Sequence, residues 1–151
     1  MVTRTESTQS AIAGDAVFIA DTSAWSQARH PQVKSAWTAA MADHRLAICP
    51  PVELELLYSA RSATEFEERE TAFSVLRRVE LSRTIGRAAV TAMRELSTAG
   101  GLHHRIRMAD VLIAACAQEA GIGVLHYDAH FDRLAEVMRF ESRWIAPAGS
   151  L

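Results

Sequence analysis

Acidic residues follow two apolar segments of the chain that have the composition of buried β-strands. Asp21 comes directly after VFIA (17–20), and Asp128 comes directly after GVLHY (123–127). In parallel α/β sheets, ligands bind at the carboxyl ends of the strands, so we expect both carboxylates at the same edge. Each aspartate could instead cap the helix that follows it, a role that aspartate fills well. One such acid is compatible with capping alone, whereas several at one edge indicate a site.

Two further acids interrupt apolar helical patterns. In MADVLIAACA, a rotation of about 100° per residue places Asp110 on one face with Ile113 and Ala114. A carboxylate on such a face is costly unless something pairs with it, although the helix dipole also favours an acid in the first turn. In PVELELLYSA, Glu53 and Glu55 point roughly 160° apart, so both cannot serve one site. Leucines flank both glutamates, and the helical wheel leaves the choice between them open.

Four carboxylates converging on one edge would repel one another, so their ionised state implies bound cations. Oxygen donors of this kind suit Mg²⁺, with Mn²⁺ as an alternative. Two such ions can activate a water, orient a scissile phosphate and stabilise the leaving oxygen. His126, Asp128 and His130 also form an H-x-D-x-H pattern that could hold zinc. The lack of a nearby cysteine and the acids elsewhere argue against zinc.

The elements that must position these acids alternate between short β-like runs and longer helical runs. The predicted strands are 17–20, 46–49, 79–81, 123–127 and 139–145, and the predicted helices are 31–44, 51–60, 64–78, 84–98, 108–120 and 129–137. Pro51 suits the first turn of its helix, and Gly121 ends the helix that carries Asp110. This alternation predicts an α/β fold with a mostly parallel sheet of four to five strands flanked by helices.

Composition limits the class of protein. At 151 residues with 49% hydrophobic side chains, the chain can form one domain without disulfides or a structural metal. Residues 1–15 are rich in Ser and Thr and predict a flexible N-terminal extension to a domain at 16–151. No apolar run is long enough for a membrane span or a signal peptide, which favours a cytoplasmic protein. The net charge of −2 lacks the basic footprint of a protein that coats nucleic acid. Cys49 and Cys116 lie in apolar runs and are expected to be buried free thiols.

The acidic motifs resemble those of PIN domains, in the same order and over residues 17–145. VFIADTSAW is similar to the opening of these domains, ELLYSAR to their helical glutamate motif, MADVLIAACA to their D-x-x-I-A-A motif and VLHYDAHFDRLAEV to their closing D-x-x-F-x-x-I/L segment. The resemblance implies a PIN-like three-layer α/β/α domain. It also implies that Asp21, Glu55, Asp110 and Asp128 are the catalytic, metal-binding residues, which selects Glu55 over Glu53.

Within PIN domains, the chain looks like the VapC-type toxins of bacterial toxin–antitoxin operons. That resemblance implies a metal-dependent endoribonuclease with a two-metal mechanism, leaving a 5′-phosphate and a 3′-hydroxyl, with tRNA and rRNA among the candidate substrates. It implies a cognate VapB-type antitoxin as a partner and a homodimer whose early helices form a groove for the antitoxin. A partly exposed Trp25 or Trp37 would suit such an interface.

Five residues close to these acids are candidates for supporting roles: Thr22, Ser23, Arg107, His130 and Asp132. Thr22 and Ser23 could hydrogen-bond the ligating carboxylates or simply begin a helix. Arg107 could hold a substrate phosphate or be a surface arginine. Members of the family that the motifs resemble commonly carry Asp or Asn where this chain has His130, which leaves open how a second metal is held and makes Asp132 worth considering.

Two other function classes fit parts of the pattern. A PIN-like module could bind RNA or protein without cutting, but such a module would be favoured by a missing acid and all four are present. An aspartate-based phosphotransfer domain also has acids at strand ends. The receiver type needs a strand-end lysine that the chain lacks, and the haloacid-dehalogenase type needs a D-x-D opening where the chain reads Asp21-Thr22-Ser23.

Overall fold

The centre of the fold is a five-stranded sheet in which every described pairing is parallel. The structure is a computed structural model that describes residues 12–151. Its strands are β1 (Phe18–Ala20), β2 (Leu46–Ile48), β3 (Arg77–Arg78), β4 (Gly123–His126) and β5 (Ser142–Trp144). They lie in the order β3-β2-β1-β4-β5, so β1 occupies the middle and β4 is its neighbour.

Seven helices among the described residues connect and cover the strands. They are α1 (Thr22–Gln27), α2 (Lys34–Ala42), α3 (Pro50–Tyr58), α4 (Ala63–Phe73), α5 (Arg83–Thr98), α6 (Met108–Ala120) and α7 (His130–Ala135). Sequence periodicity predicted α2, α3, α5, α6 and α7 within three residues at each end. It made α4 five residues too long at its C-terminus, and α1 was anticipated only as the helix following Asp21. None of the helices described between residues 12 and 151 is both long and apolar enough to cross a membrane.

Hydrophobic residues cover both faces of the sheet, which gives the three layers that the motifs implied. Alternate residues of β1 point to opposite sides: Phe18 and Ala20 belong to one buried cluster, and Ile19 belongs to the other. The cluster around Ile19 includes residues of α3, α5, α6 and α7, and the cluster around Phe18 includes residues of α1 and α2. The predicted α/β/α architecture is therefore confirmed.

The pairing of β1 with β4 brings two strand ends side by side. Ile19 is opposite Val124, and Ala20 is opposite Leu125. The two strands approach closely at Gly123, where an added Cβ would lie 2.6 Å from the Phe18 ring and 2.9 Å from the Glu141 carbonyl oxygen. A larger residue at position 123 would push β4 away from β1 and separate the two ends.

The prediction for β3 was wrong. The strand is Arg77–Arg78, which fell inside the predicted helix 64–78, and not 79–81. Helix α4 ends at Phe73, and a turn follows in which the Leu76 N–H donates to the Phe73 carbonyl oxygen. Both arginines are exposed on an edge strand, so the segment lacks the apolar alternation by which strands are recognised.

Two further expectations concern the N-terminus and the tryptophans. Residues 1–11 of the predicted extension lie outside the described residues, and Ile12 is buried with its carbonyl oxygen bonded to Arg45, so packing reaches upstream of residue 16. Trp37 is 7% exposed, which removes it as the exposed anchor considered from the sequence, whereas Trp25 is half-buried. Cys49 and Cys116 are buried free thiols, as expected.

Candidate active site

Asp21 lies where β1 ends and α1 begins. Its backbone N–H donates to the Leu125 carbonyl oxygen at 2.9 Å, which ties it to the neighbouring strand end. Its Oδ2 accepts hydrogen bonds from the Ser23 backbone N–H at 3.0 Å and the Ser23 hydroxyl at 2.6 Å, so Asp21 caps α1. The side chain is buried, and burial raises the pKa of the Asp21 carboxyl above its usual value against the opposing effect of those hydrogen bonds.

Ser23 joins the ends of β1 and β4 as well as orienting Asp21. Its hydroxyl donates to Asp21 and accepts the Tyr127 backbone N–H at 2.9 Å. The hydroxyl of Thr22 donates to Oε2 of Glu55 on α3. The two hydroxyl residues next to Asp21 therefore contact two of the four acids predicted to form the site.

Glu55 and Glu53 point to different sides of α3, as the helical wheel requires. Glu55 faces Thr22 and forms an ion pair with Nη2 of Arg107. Glu53 instead pairs with Nη2 of Arg78 on β3 at 2.5 Å. The charge of Glu55 contributes to raising the pKa of Asp21, so these two carboxylates lie close enough to interact. The packing of α3 thus brings Glu55, and not Glu53, to the strand-end acids.

Asp110 is 1% exposed in the first turn of α6. Burial raises its pKa to about 6, and the negative charges of Asp21 and Asp128 act in the same direction. The imidazole Nδ1 of His130 lies 3.2 Å from Oδ2 of Asp110 and lowers that pKa in part. A carboxylate this deeply buried among other acids is a strong candidate for a cation ligand.

Asp128 lies between β4 and α7, where it completes the group. Its Oδ1 accepts the His130 backbone N–H at 3.0 Å and is 3.5 Å from Nδ1 of the same histidine. One ligand atom from each of Asp110, Asp128 and His130 lies within 4.8 Å of the other two. The structure therefore brings together all four predicted acids and adds His130 to the group.

His126 and Asp132 belong to a neighbouring hydrogen-bond network. His126 is fully buried; its Nδ1 accepts the Asp128 backbone N–H at 3.1 Å, and its Nε2 lies 2.7 Å from the Ser142 hydroxyl. Asp132 accepts hydrogen bonds from Ser142 at 2.6 Å and from Nε1 of Trp144 at 2.8 Å. Burial lowers the pKa of His126 to about 4, so the ring is neutral at pH 7. Both ring nitrogens already have hydrogen-bond partners. These contacts argue against zinc at the H-x-D-x-H pattern and turn Asp132 towards β5.

A cleft of about 640 Å³ opens beside Asp21 and Glu55. Its lining comprises Asp21, Thr22, Ser23, Ser26, Leu54, Glu55, Tyr58 and Arg107. Arg107 is exposed at its mouth, and the charge of Asp110 is the main cause that raises the pKa of the guanidinium. Sequence reasoning missed Leu54 and Tyr58, two exposed side chains of the cleft. Their spacing of four residues was the available signal, but it also fits a core face.

The chemistry of the group fits divalent cations. Carboxylate oxygens are donors that bind Mg²⁺ and Mn²⁺, and an imidazole nitrogen is a donor for transition-metal ions. Asp21 and Asp110 are buried and have raised pKa values, so a bound cation would favour their ionised forms. The open cleft beside them leaves room for a large substrate.

Comparison with known proteins places the same segments in a family context. A family model for the PIN domain matches residues 18–137. The chain is 40% identical over 136 residues to ribonuclease VapC18 of Mycobacterium tuberculosis, across 89% of this chain and 99% of that protein. It is 34% identical to ribonuclease VapC51 of the same species, across 89% of this chain and 96% of that protein. Among solved structures, a DNA-bound VapBC from Salmonella typhimurium matches across 87% of this chain and 99% of that chain. The TM-score is 0.66 and the sequence identity is 18%, so the two proteins share a fold.

Proposed function

Because the chain belongs to the PIN domain family, we propose that it is a metal-dependent endoribonuclease and the toxin of a toxin–antitoxin pair. The observation that carries the proposal is the convergence of four carboxylates from four segments at one sheet edge, two of them buried. The names of the relatives as VapC ribonucleases support RNA as the substrate.

The residues that would hold Mg²⁺ or Mn²⁺ are Asp21, Glu55, Asp110 and Asp128. When bound, such ions would lower the pKa of a coordinated water and neutralise charge on a phosphodiester, and the mechanism that we propose uses two of them. Ser23 and Thr22 fix the orientations of Asp21 and Glu55 through their hydroxyl groups. Their contribution is to keep the carboxylates in place while the substrate binds.

Arg107 and Tyr58 are the residues that we propose to contact the RNA. Arg107 is exposed at the mouth of the cleft, where its guanidinium could exchange the carboxylate of Glu55 for a substrate phosphate. The Tyr58 side chain is 91% exposed in the same cleft and offers an aromatic face on which a base can stack. Single-stranded RNA, including the loops of tRNA or rRNA, presents bases in this way.

The partners that we propose are a VapB-type antitoxin and a second copy of the chain. The VapC names of the relatives and the VapBC composition of the solved structures support a toxin that assembles with an antitoxin. A toxin that cuts cellular RNA would act in the cytoplasm. Light scattering of the protein co-expressed with the product of the adjacent gene should give a mass larger than that of a simple heterodimer. A monomer that does not bind that product would contradict the toxin assignment but would not contradict the nuclease assignment.

The nuclease assignment is tested by Asp21→Asn and Asp110→Asn, each of which removes a ligand charge with little change in volume. We expect both variants to fold and to lose cleavage of RNA in Mg²⁺ or Mn²⁺, with 5′-phosphate ends mapped only for the wild type. Asp43→Asn, at the exposed end of α2, is the matched control. Undiminished cleavage by Asp21→Asn, with contaminating nuclease excluded, would overturn the metal site. RNA binding without cleavage by the wild type would favour the binding-module alternative.

A further inference from the structure

His130 contacts two of the acids through a single atom. Its Nδ1 is 3.2 Å from Oδ2 of Asp110 and 3.5 Å from Oδ1 of Asp128. The nitrogen and one oxygen from each carboxylate lie within 4.8 Å of one another, a separation at which one ion can contact all three. A nitrogen atom therefore belongs to the donor group that the acids form.

The backbone holds His130 in this position. The His130 N–H donates to Oδ1 of Asp128 at 3.0 Å, and the residue begins α7. The Asp128 N–H is in turn held by Nδ1 of buried His126. The imidazole of His130 is 42% exposed, so an ion can reach it from solvent without unfolding the site. These contacts restrain the backbone that carries the imidazole, and Nδ1 already lies beside both carboxylates.

Nitrogen changes which ion such a site prefers. Mg²⁺ is a hard cation that takes oxygen ligands and gives up water reluctantly. Imidazole suits the first-row transition ions, whose affinities rise from Mn²⁺ through Co²⁺ and Ni²⁺. A site that combines two carboxylates with one imidazole should therefore discriminate against Mg²⁺ more than an all-carboxylate site does.

We propose that Nδ1 of His130 is a direct ligand of the ion held by Asp110 and Asp128, and that it makes this protein select Mn²⁺ over Mg²⁺. The inference deepens the proposed nuclease function and depends on the same site. His126 cannot supply the nitrogen instead, because Asp128 and Ser142 occupy its two ring nitrogens.

Titration calorimetry of wild type and His130→Asp with Mn²⁺ and with Mg²⁺ tests the selectivity. A site made only of oxygen ligands also binds Mn²⁺ somewhat more tightly than Mg²⁺. The informative quantity is therefore the change in the ratio of the Mn²⁺ affinity to the Mg²⁺ affinity. We expect the ratio of Mn²⁺ affinity to Mg²⁺ affinity to fall in His130→Asp, because a nitrogen ligand is replaced by a carboxylate of the kind that suits Mg²⁺. His44→Asp is the control, because His44 is exposed in the turn before β2, at the opposite edge of the sheet. An equal ratio in wild type and His130→Asp would overturn the proposal.

Electron spin echo envelope modulation of bound Mn²⁺ gives a second, direct measurement on the wild type. We expect ¹⁴N coupling from a coordinated imidazole in wild type and His44→Asp, and its loss in His130→Asp and His130→Gln, with any affinity tag removed. Absence of ¹⁴N coupling in the wild type would overturn the proposal even if the variants fail to fold. Nitrogen coupling without RNA cleavage would support the ligand and contradict the nuclease. Metal-dependent cleavage without nitrogen coupling would support the nuclease and contradict His130 as a ligand.

Discussion

At the scale of single residues, Asp21 combines two roles that the sequence presents as alternatives. It caps α1 through Oδ2, and it belongs to the group of acids at the strand ends. Burial still raises its pKa although two hydrogen bonds from Ser23 oppose the shift. Capping and the proposed metal binding are compatible here because the start of α1 itself lies at the carboxyl ends of the strands. A capping explanation for a strand-end aspartate therefore does not argue against a site.

Asp110 should make the stability of the metal-free protein depend on pH. Its pKa rises from 3.8 to about 6 on folding, so the folded state binds more protons and stability falls as the pH rises through this range. The stabilisation is complete below pH about 4 and is lost above pH about 6, and the difference corresponds to about 3 kcal/mol. Denaturant unfolding in a chelator should show that the stability of wild type relative to Asp110→Asn decreases by this order between pH 4 and 7. A difference between the two proteins that does not change with pH would contradict the assignment.

The two glutamates of α3 provide a matched pair. Glu55 contacts Thr22 and Arg107 beside Asp21, whereas Glu53 pairs with Arg78 on the edge strand. Glu55→Gln should therefore lower RNA cleavage by about tenfold or more, since it removes a charge from the proposed metal site. Glu53→Gln should leave the rate within about twofold and cost less than about 1 kcal/mol of stability, as for other partly exposed ion pairs. Single-turnover kinetics of both variants would decide, and the opposite ranking would refute the site.

At the scale of elements, the site depends on how two strand ends are held together. β1 and β4 are adjacent and parallel, and the close approach at Gly123 keeps them so. Ser23 then connects the first turn of α1 to Tyr127 immediately after β4. Asp21 and Asp128 are consequently positioned by one sheet edge and by one hydroxyl group that spans it.

Ser23→Ala should weaken both stability and cleavage. The change removes a hydrogen bond to Asp21 and leaves the Tyr127 N–H without its side-chain acceptor, which costs about 1–3 kcal/mol for a buried donor. Ser97→Ala is the control, because Ser97 is exposed on α5, away from the cleft, and donates locally to the Arg94 carbonyl oxygen. Urea unfolding and RNA cleavage should separate the two variants. Equal behaviour would mean that the Ser23 bridge has no role in the site.

At the scale of the whole molecule, the aromatic residues of the first two helices are part of the core. The Trp25 and Trp37 rings meet edge to face with centroids 5.0 Å apart, and Trp25 also contacts Phe73 at 5.7 Å. Trp37 packs in the cluster with Phe18 and Leu125 on one face of the sheet. The large exposed side chains instead include Leu54, Tyr58 and Met108, of which the first two lie beside the cleft.

Trp37→Ala should therefore act on folding. Truncating a buried tryptophan typically costs about 3–5 kcal/mol, whereas a change at an exposed position costs within about 0.5 kcal/mol. We expect urea unfolding to show that Trp37→Ala lowers the free energy of unfolding by about 3–5 kcal/mol and that Tyr58→Ala changes it by no more than about 0.5 kcal/mol. A small loss for Trp37→Ala would mean that this face of the sheet is less tightly packed than the structure indicates.

Local sequence patterns determined the fold class and most of the site. Alternation of β-like and helical runs fixed the parallel sheet, and the position of Asp21 and Asp128 after strands fixed their edge, because both follow from periodicity over a few residues. The motif resemblance added the choice of Glu55. The exposed Arg77 and Arg78 had no apolar period, so the strand between α4 and α5 was predicted at 79–81, two residues too late.

Only the tertiary structure decided contacts between distant segments. The pairing of Glu55 with Arg107 spans 52 positions, and the approach of His130 to Asp110 spans 20. Neither contact follows from a helical or strand period, because each depends on how α3, α6 and α7 pack against the sheet. The same packing directs Asp132 towards β5 and buries Trp37. The local sequence had left open a site role for Asp132 and an exposed position at an interface for Trp37.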